Sequence, residues 1–187
     1  VLGIHGVGVI GTLFRPFWFY MALINTYLVL LGSSAIFLGS EVFYQWAVWI
    51  GGSGATFGLA FAASFFAKSE HLKQNGKESF HASLFNINET VIFGIPVVSN
   101  HYFNIPFFLA PIISTLISYA AIKLNLVSIP SLVSPWVMPL PIGIFISTLG
   151  DWRSIVLAFV LLLSSFLVYY PFFKKYDNKL YLEENSK

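Results

Sequence analysis

Five stretches of this chain hold no Asp, Glu, Lys or Arg: residues 16–40, 42–67, 90–122, 124–150 and 154–173. A helix that crosses a bilayer needs about 20 predominantly apolar residues, and each of the five is long enough. The whole chain of 187 residues is 57% hydrophobic and only 10% charged, where an ordinary soluble domain is about 25% charged. Ten basic and eight acidic side chains cannot coat a globule of this size. A soluble domain, a disordered tail and a coiled coil are excluded, and a net charge of +2 gives no footprint for nucleic acid. The expected fold class is all-α integral membrane, a multi-span helical bundle in a lipid bilayer.

Charge is clustered in two places. Lys68, Glu70, Lys73, Lys77 and Glu78 surround Gln74, Asn75 and Gly76 and read as a polar turn. The tail beyond Phe173 is mixed in charge and reads as a frayed helix end. Lys-rich short segments stay on the cytoplasmic side, so both are expected there. Plain spans are expected over residues 18–39, 42–67, 105–124 and 154–173. The second contains Gly51, Gly52, Ser53 and Gly54, where a break or a horizontal segment is expected.

Residues 85–100 (FNINETVIFGIPVVSN) and 131–150 (SLVSPWVMPLPIGIFISTLG) are apolar but rich in Asn, Gly and Pro. Proline removes a backbone donor and clashes with the preceding turn. Irregular backbone at membrane depth survives only where protein or a watery cavity surrounds it, and such segments line substrate sites in transporters. Both are read as re-entrant hairpins. If each returns to its own side, 105–124 and 154–173 run in opposite directions and both basic segments share one face; four full crossings would put the basic segments on one face as well, so parity leaves both arrangements open.

Glu89 is the most informative residue, the single carboxylate between Glu78 and Asp151. A carboxylate at membrane depth is costly and marks a pathway or a partner. The amides of Asn86 and Asn88 beside it donate and accept, as sugar hydroxyls require; the plainer alternative is a helix-end carboxylate at the interface. His5 lies between small residues in Gly3-Ile4-His5-Gly6. With Arg15 at an interface, a helical rise of 1.5 Å per residue sets His5 about 15 Å deeper, near the midplane; the alternative is a packed core histidine. Trp136 either stacks on the apolar face of a sugar ring or belongs to an interfacial aromatic belt, the role expected of Trp18, Trp46, Trp49 and Trp152. His71, His81 and His101 lack metal-ligand spacing, so no metal is expected, and no cofactor is implied. Asp151 reads as the cap of the last helix.

Taken in order, GIHG, GGSGAT, FNINETVIFGIPVV, IPFFLAP, PWVMPLPIG, GDWR and YYPFFKKYD resemble the membrane subunit, enzyme IIC, of the lactose/cellobiose/chitobiose branch of the bacterial sugar phosphotransferase system. The resemblance runs over nearly the whole chain and is to the C-terminal, substrate-binding half of that family. Residues 1–175 are then the substrate-binding membrane domain and 176–187 a cytoplasmic tail, with the N-terminal half of the protein lying ahead of Val1. In the family the sugar sits between two re-entrant hairpins and is phosphorylated on its 6-hydroxyl by a phosphocysteine of a separate cytosolic subunit, enzyme IIB. The resemblance implies His5 and Glu89 as the residues holding that hydroxyl, Asn88 as a substrate contact and Trp136 as the stacking ring. One departure is Thr90, where the family usually has proline.

The resemblance further implies a bacterial plasma-membrane location, a cytoplasmic C-terminus, a β-linked disaccharide as substrate and a homodimer built largely by the N-terminal helices. The chain has no cysteine, so it does not itself carry the phosphocysteine, in keeping with a sugar-holding subunit that depends on enzyme IIB. Two rival readings are a proton-coupled secondary transporter with Glu89 as proton carrier, and an inactive truncated remnant.

Overall fold

Three helices are long and apolar enough to cross a bilayer in the computed structural model, which describes residues 6–97 and 100–186. These are α1 (Gly6–Leu30), α6 (His101–Lys123) and α8 (Arg153–Asn185). Between them lie α2 (Glu41–Phe43), which continues as a π-helical turn over Tyr44–Val48, then α3 (Phe57–Phe66), α4 (Glu70–Ser83), α5 (Glu89–Gly94) and α7 (Leu140–Ser147). No strand occurs among the described residues.

Helix α1 stops earlier than residue 39. Ser33 N donates to Leu28 O and Gly32 N to Val29 O (2.9 and 3.0 Å), the paired bonds that close a helix at glycine. The chain then doubles back along α1. The fully buried Asn25 accepts from the backbone N–H of Ile36 and Phe37 and donates to Phe37 O. Arg15 is not at a helix end either. Thr26 donates to Ser131 O (2.6 Å) near the outer end of α1, and Arg15 lies about 16 Å further along the axis, well inside the bundle's depth.

Residues 42–67 do not form one span. The break expected at the glycines is a full loop, residues 49–56, with Gly51, Gly52, Gly54 and Ala55 all at positive φ. Side chains carry the loop's polar backbone: Ser165 on α8 donates to Ala55 O (2.6 Å), and Tyr169 donates to Gly54 O (2.7 Å). Ser165 Oγ also accepts from Gly58 N (2.8 Å), which fixes α3 against α8.

The polar turn expected around Gly76 is instead a 14-residue helix, α4. Its buried positions are Leu72, Gly76, Ser79 and Ser83, a face of small residues at helical spacing. A Cβ on Gly76 would collide with the backbone of Ala63 and Ser64, so α3 and α4 approach closely. Helix α4 rises, turns at residues 84–88, and α5 descends until Gly94 meets Asn75. This is the first re-entrant hairpin.

The second hairpin begins beyond α6. Ser131 and Leu132 donate to Ser147 O (2.8 and 3.1 Å), so an extended entering arm pairs with the end of α7. Asp151 ties its base, accepting from the backbone and hydroxyl of Ser128 (both 2.9 Å) and from Arg153 Nε and Nη2. Burial pushes the Asp151 carboxyl up, but these bonds outweigh it and leave a pKa of about 2. Asp151 also accepts from Arg153 N, but from one residue ahead of the N-cap position expected of it, which Trp152 holds.

Helices α6 and α8 run antiparallel, as two returning hairpins require. Tyr102 and Phe103 pack on Tyr176 at one end, and Asn125 O accepts from Arg153 Nη1 at the other. The tail is not frayed. At 33 residues, α8 is about 50 Å long, longer than the ~30 Å hydrocarbon core, and it runs unbroken through residues 175 and 176. Its projecting turns hold the α3–α4 connection. Asp177, 2% exposed, accepts from Lys68 N and Ser69 N at 2.9–3.1 Å. Glu184 accepts from Ser69 Oγ (2.6 Å) and from the first amides of α4. An unsatisfied buried donor costs about 1–3 kcal/mol. Asp177→Ala is therefore expected to lower the unfolding midpoint in detergent and open residues 67–70 to limited proteolysis; an unchanged cleavage pattern would contradict the tether.

Candidate functional site

The two hairpin tips meet. Asn86 Nδ2 donates to Trp136 O at 3.4 Å, linking the tip of the first hairpin to that of the second. Beside this contact is a cleft of about 370 Å³, lined on one side by Asn86, Asn88, Glu89 and Trp136 and on the other by Arg15, Phe19, Glu41, Gln45 and Trp49. Clefts that take small-molecule ligands run from about 300 to 1,000 Å³.

Local sequence sets each tip. Asn86 sits at φ +62° beyond the end of α4, a conformation asparagine tolerates better than most residues. Its Oδ1 accepts from Gly51 N (3.0 Å). Asn88, 4% exposed, donates to Ser53 O (2.7 Å) and Thr56 Oγ1 (3.2 Å). The first hairpin is thus clamped to the glycine loop by two amides. Gly52 lies directly under Asn88 at φ +98°, and a Cβ there would overlap the Asn88 side chain; no other residue fits. Asn88 has its amide hydrogens committed to this clamp, so it offers a ligand its carbonyl oxygen.

Glu89 begins α5, where the unpaired amides of a first turn favour negative charge. Its side chain is exposed and lines the cleft. No hydrogen bond to its carboxylate occurs among the described residues, so both oxygens are available as acceptors. Trp136, 55% exposed, occupies the tip of the second hairpin and lines the same cleft. That tip is held from behind: Ser134 Oγ accepts from Trp46 Nε1 (3.0 Å) and bonds Ser147 Oγ (3.0 Å), while Gln45 Nε2 donates to Ser134 O (3.2 Å).

Asn88, Glu89 and Trp136, separated by up to 48 residues in sequence, therefore share one cleft. His5 lies outside the described residues. Two tryptophans expected in an interfacial belt have other roles. Trp46 is fully buried behind the second hairpin, and Trp49 lines the cleft, stacked on Tyr44 (5.8 Å between ring centroids). Trp18 packs against both Tyr44 and Trp49. Trp152, 67% exposed, keeps a position suited to the belt.

Arg15 and Glu41 are site residues that sequence reasoning passed over. Arg15 Nε lies 3.2 Å from Glu41 Oε1, with side-chain exposures of 45% and 6%, and its guanidinium sits 5.8 Å over the Trp49 ring. A signal existed: these are the sole charged side chains in the first 67 residues, and they are opposite in sign.

Known proteins share this architecture. A family model described as "Phosphotransferase system, EIIC" matches residues 1–111. The cellobiose-specific EIIC component of Geobacillus stearothermophilus is 35% identical over 98% of this chain and 42% of its own length. The lactose-specific EIICB component of Staphylococcus aureus (strain N315) is 34% identical over 100% of this chain and 33% of its own. The crystal structure of the transporter ChbC, the IIC component of the N,N'-diacetylchitobiose-specific phosphotransferase system, superposes with a TM-score of 0.95 at 32% identity, over 99% of this chain and 43% of that one. The chain spans less than half the length of these relatives. The two re-entrant hairpins, the match over residues 1–111 and the agreement with ChbC together make this chain a member of the phosphotransferase-system EIIC family.

Proposed function

We propose that the protein to which this chain belongs is the sugar permease subunit of a phosphoenolpyruvate-dependent phosphotransferase system. In this reading it holds a β-linked disaccharide of the cellobiose, lactose or chitobiose type in the cleft between the hairpin tips. The observation that carries the proposal is the convergence of Glu89 and Trp136 on one cleft from two re-entrant hairpins. The printed specificities of the relatives, cellobiose, lactose and N,N'-diacetylchitobiose, favour the same substrate class.

Sugar hydroxyls donate and accept together, and the face of a sugar ring is apolar. Glu89 supplies acceptors, Asn88 a carbonyl oxygen and Trp136 a flat apolar surface. His5, implied by the resemblance, would orient the 6-hydroxyl. Enzyme IIB would carry the phosphoryl group on a cysteine; the S. aureus relative is named EIICB. The 6-oxygen attacks phosphorus, the phosphorus–sulfur bond breaks, the thiolate leaves, and Glu89 takes the hydroxyl proton as general base. Alignment does most of the work in phosphoryl transfer, which suits a carboxylate set on clamped hairpin tips. Lys68, Lys174, Lys175 and Lys179 lie toward the end of the bundle where Asp177 meets Lys68. Positive charge of this kind marks the cytoplasmic side, so the C-terminus is placed there, as is enzyme IIB. The full-length protein is a homodimer in this reading.

Trp136→Ala is expected to weaken disaccharide binding by about 1–3 kcal/mol, the scale of aromatic stacking on planar bases. Titration of the full-length protein in detergent measures it, and unchanged affinity would make Trp136 a packing residue. The test of the whole proposal is the chemical state of the sugar delivered into vesicles supplied with phosphorylated enzyme IIB: sugar 6-phosphate supports it, and free sugar accumulating with a proton gradient supports the secondary transporter instead.

A further inference from the structure

The cleft has a second polar wall, and its chemistry is unexplained by the hairpin tips. Glu41 has only 6% of its side chain exposed, yet Oε2 has no hydrogen-bond partner among the described residues. Oε1 faces Arg15 Nε at 3.2 Å, so one carboxylate oxygen is paired and the other is buried and unmatched. Arg15 is likewise half used. Its Nε engages Glu41 and its planar face lies over Trp49, while its two Nη groups donate no hydrogen bond among the described residues. Both residues line the same cleft as Glu89 and Trp136.

Stability does not account for the pair. The pair is weak evidence for stability, because taking the Glu41 carboxylate out of water offsets much of its attraction to Arg15. A carboxylate left with an unmatched oxygen is worse still. Ionisable residues at membrane depth mark substrate paths. An unmatched acceptor beside guanidinium donors that bond nothing else among the described residues is the complement of neighbouring hydroxyls, each of which gives one hydrogen and accepts another. The pair is also prearranged. Trp49 is stacked on Tyr44, and Trp18 packs on both, so the ring under Arg15 is fixed before any ligand arrives.

We propose that Arg15 and Glu41 form a second hydroxyl-binding subsite, which takes the sugar ring of the disaccharide not held by Glu89. This rests on the reading of the cleft as a disaccharide site and adds to it a reason for choosing two rings over one. A turn of the Glu41 carboxylate into the cleft lets Oε2 accept from one hydroxyl, and the Arg15 Nη groups donate to its neighbour. Gln45 lines the same wall, and its Nε2, bonded to Ser134 O, joins this subsite to the second hairpin.

The experiment uses the full-length protein in detergent, with cellobiose and glucose as probes and intrinsic tryptophan fluorescence as the readout. Glu41→Gln is expected to lower the ratio of cellobiose to glucose affinity at least fivefold. Because a single change leaves Arg15 without its counter-charge, the double variant Arg15→Gln with Glu41→Gln is measured alongside. It removes both charges together and is expected to show the same fall in ratio. An unchanged ratio in a variant that still binds sugar overturns the subsite, as does equal loss for both probes. Wild-type protein that binds neither cellobiose, lactose nor N,N'-diacetylchitobiose would overturn the disaccharide reading itself, and the subsite with it.

Discussion

Glu89→Gln in the full-length protein is expected to abolish sugar phosphorylation, by at least about a hundredfold, while leaving measurable sugar binding. The amide keeps the shape of the side chain and one acceptor oxygen, so part of the contact with the sugar survives. It loses the basicity that would draw the proton from the 6-hydroxyl, and positioned general bases are worth about 10²–10⁴ in rate. The change is mild for the fold, because no hydrogen bond to the Glu89 carboxylate among the described residues is lost. Single-turnover transfer from phosphorylated enzyme IIB, alongside equilibrium sugar binding, separates the two effects. Wild-type transfer by the variant would remove Glu89 from the chemistry.

The largest expected structural effect is at Gly143. It packs against the far end of the Trp46 indole, where a Cβ would overlap the ring atoms, and Trp46 is fully buried. Trp46 also bonds Ser134 and so fixes the arm that leads to Trp136. Gly143→Val must push the second hairpin away from the π-helical turn. Overpacking costs about 1–3 kcal/mol in ordinary cores, and a rigid ring with no room to yield puts this case at the upper end or above. The expected result is a large fall in the detergent unfolding midpoint together with loss of sugar affinity. Trp46→Phe vacates part of the space, so the double variant is expected to be less destabilised than the sum of the singles. Additive losses would show that the two residues do not oppose each other across this contact.

The two hairpins were legible because their signal is chemical. Prolines, glycines and asparagines inside apolar runs have few uses at membrane depth besides a broken backbone, and a lone carboxylate among them has fewer. The break at Gly51–Gly54 was legible for the same reason. Helix α4 was not: apart from Leu72 its buried face is made of Gly76, Ser79 and Ser83, which carry little hydropathy, so its exposed charges read as a loop. The continuation of α8 was hidden because the groups that hold it, Asp177 and Glu184, bond to backbone amides more than 100 residues away. A lone charge in a tail does not announce that kind of partner. Trp46 and Trp49 were assigned to the belt because burial of an indole depends on what packs behind it, here Gly143 and Tyr44. The cleft's second wall was missed through an assumption about depth. Arg15 reads as an interfacial residue until Thr26 is seen bonded to Ser131, which moves the outer end of α1 well beyond it.

The central claim is that a β-linked disaccharide sits between the hairpin tips with its reactive hydroxyl at Glu89. A density map of the full-length protein with bound cellobiose tests this most directly. The account predicts a sugar ring stacked on Trp136, a 6-hydroxyl within hydrogen-bond distance of Glu89, and the second ring turned toward Arg15 and Glu41. Cellobiose bound outside this cleft, or bound within it with its 6-hydroxyls away from Glu89, would contradict it.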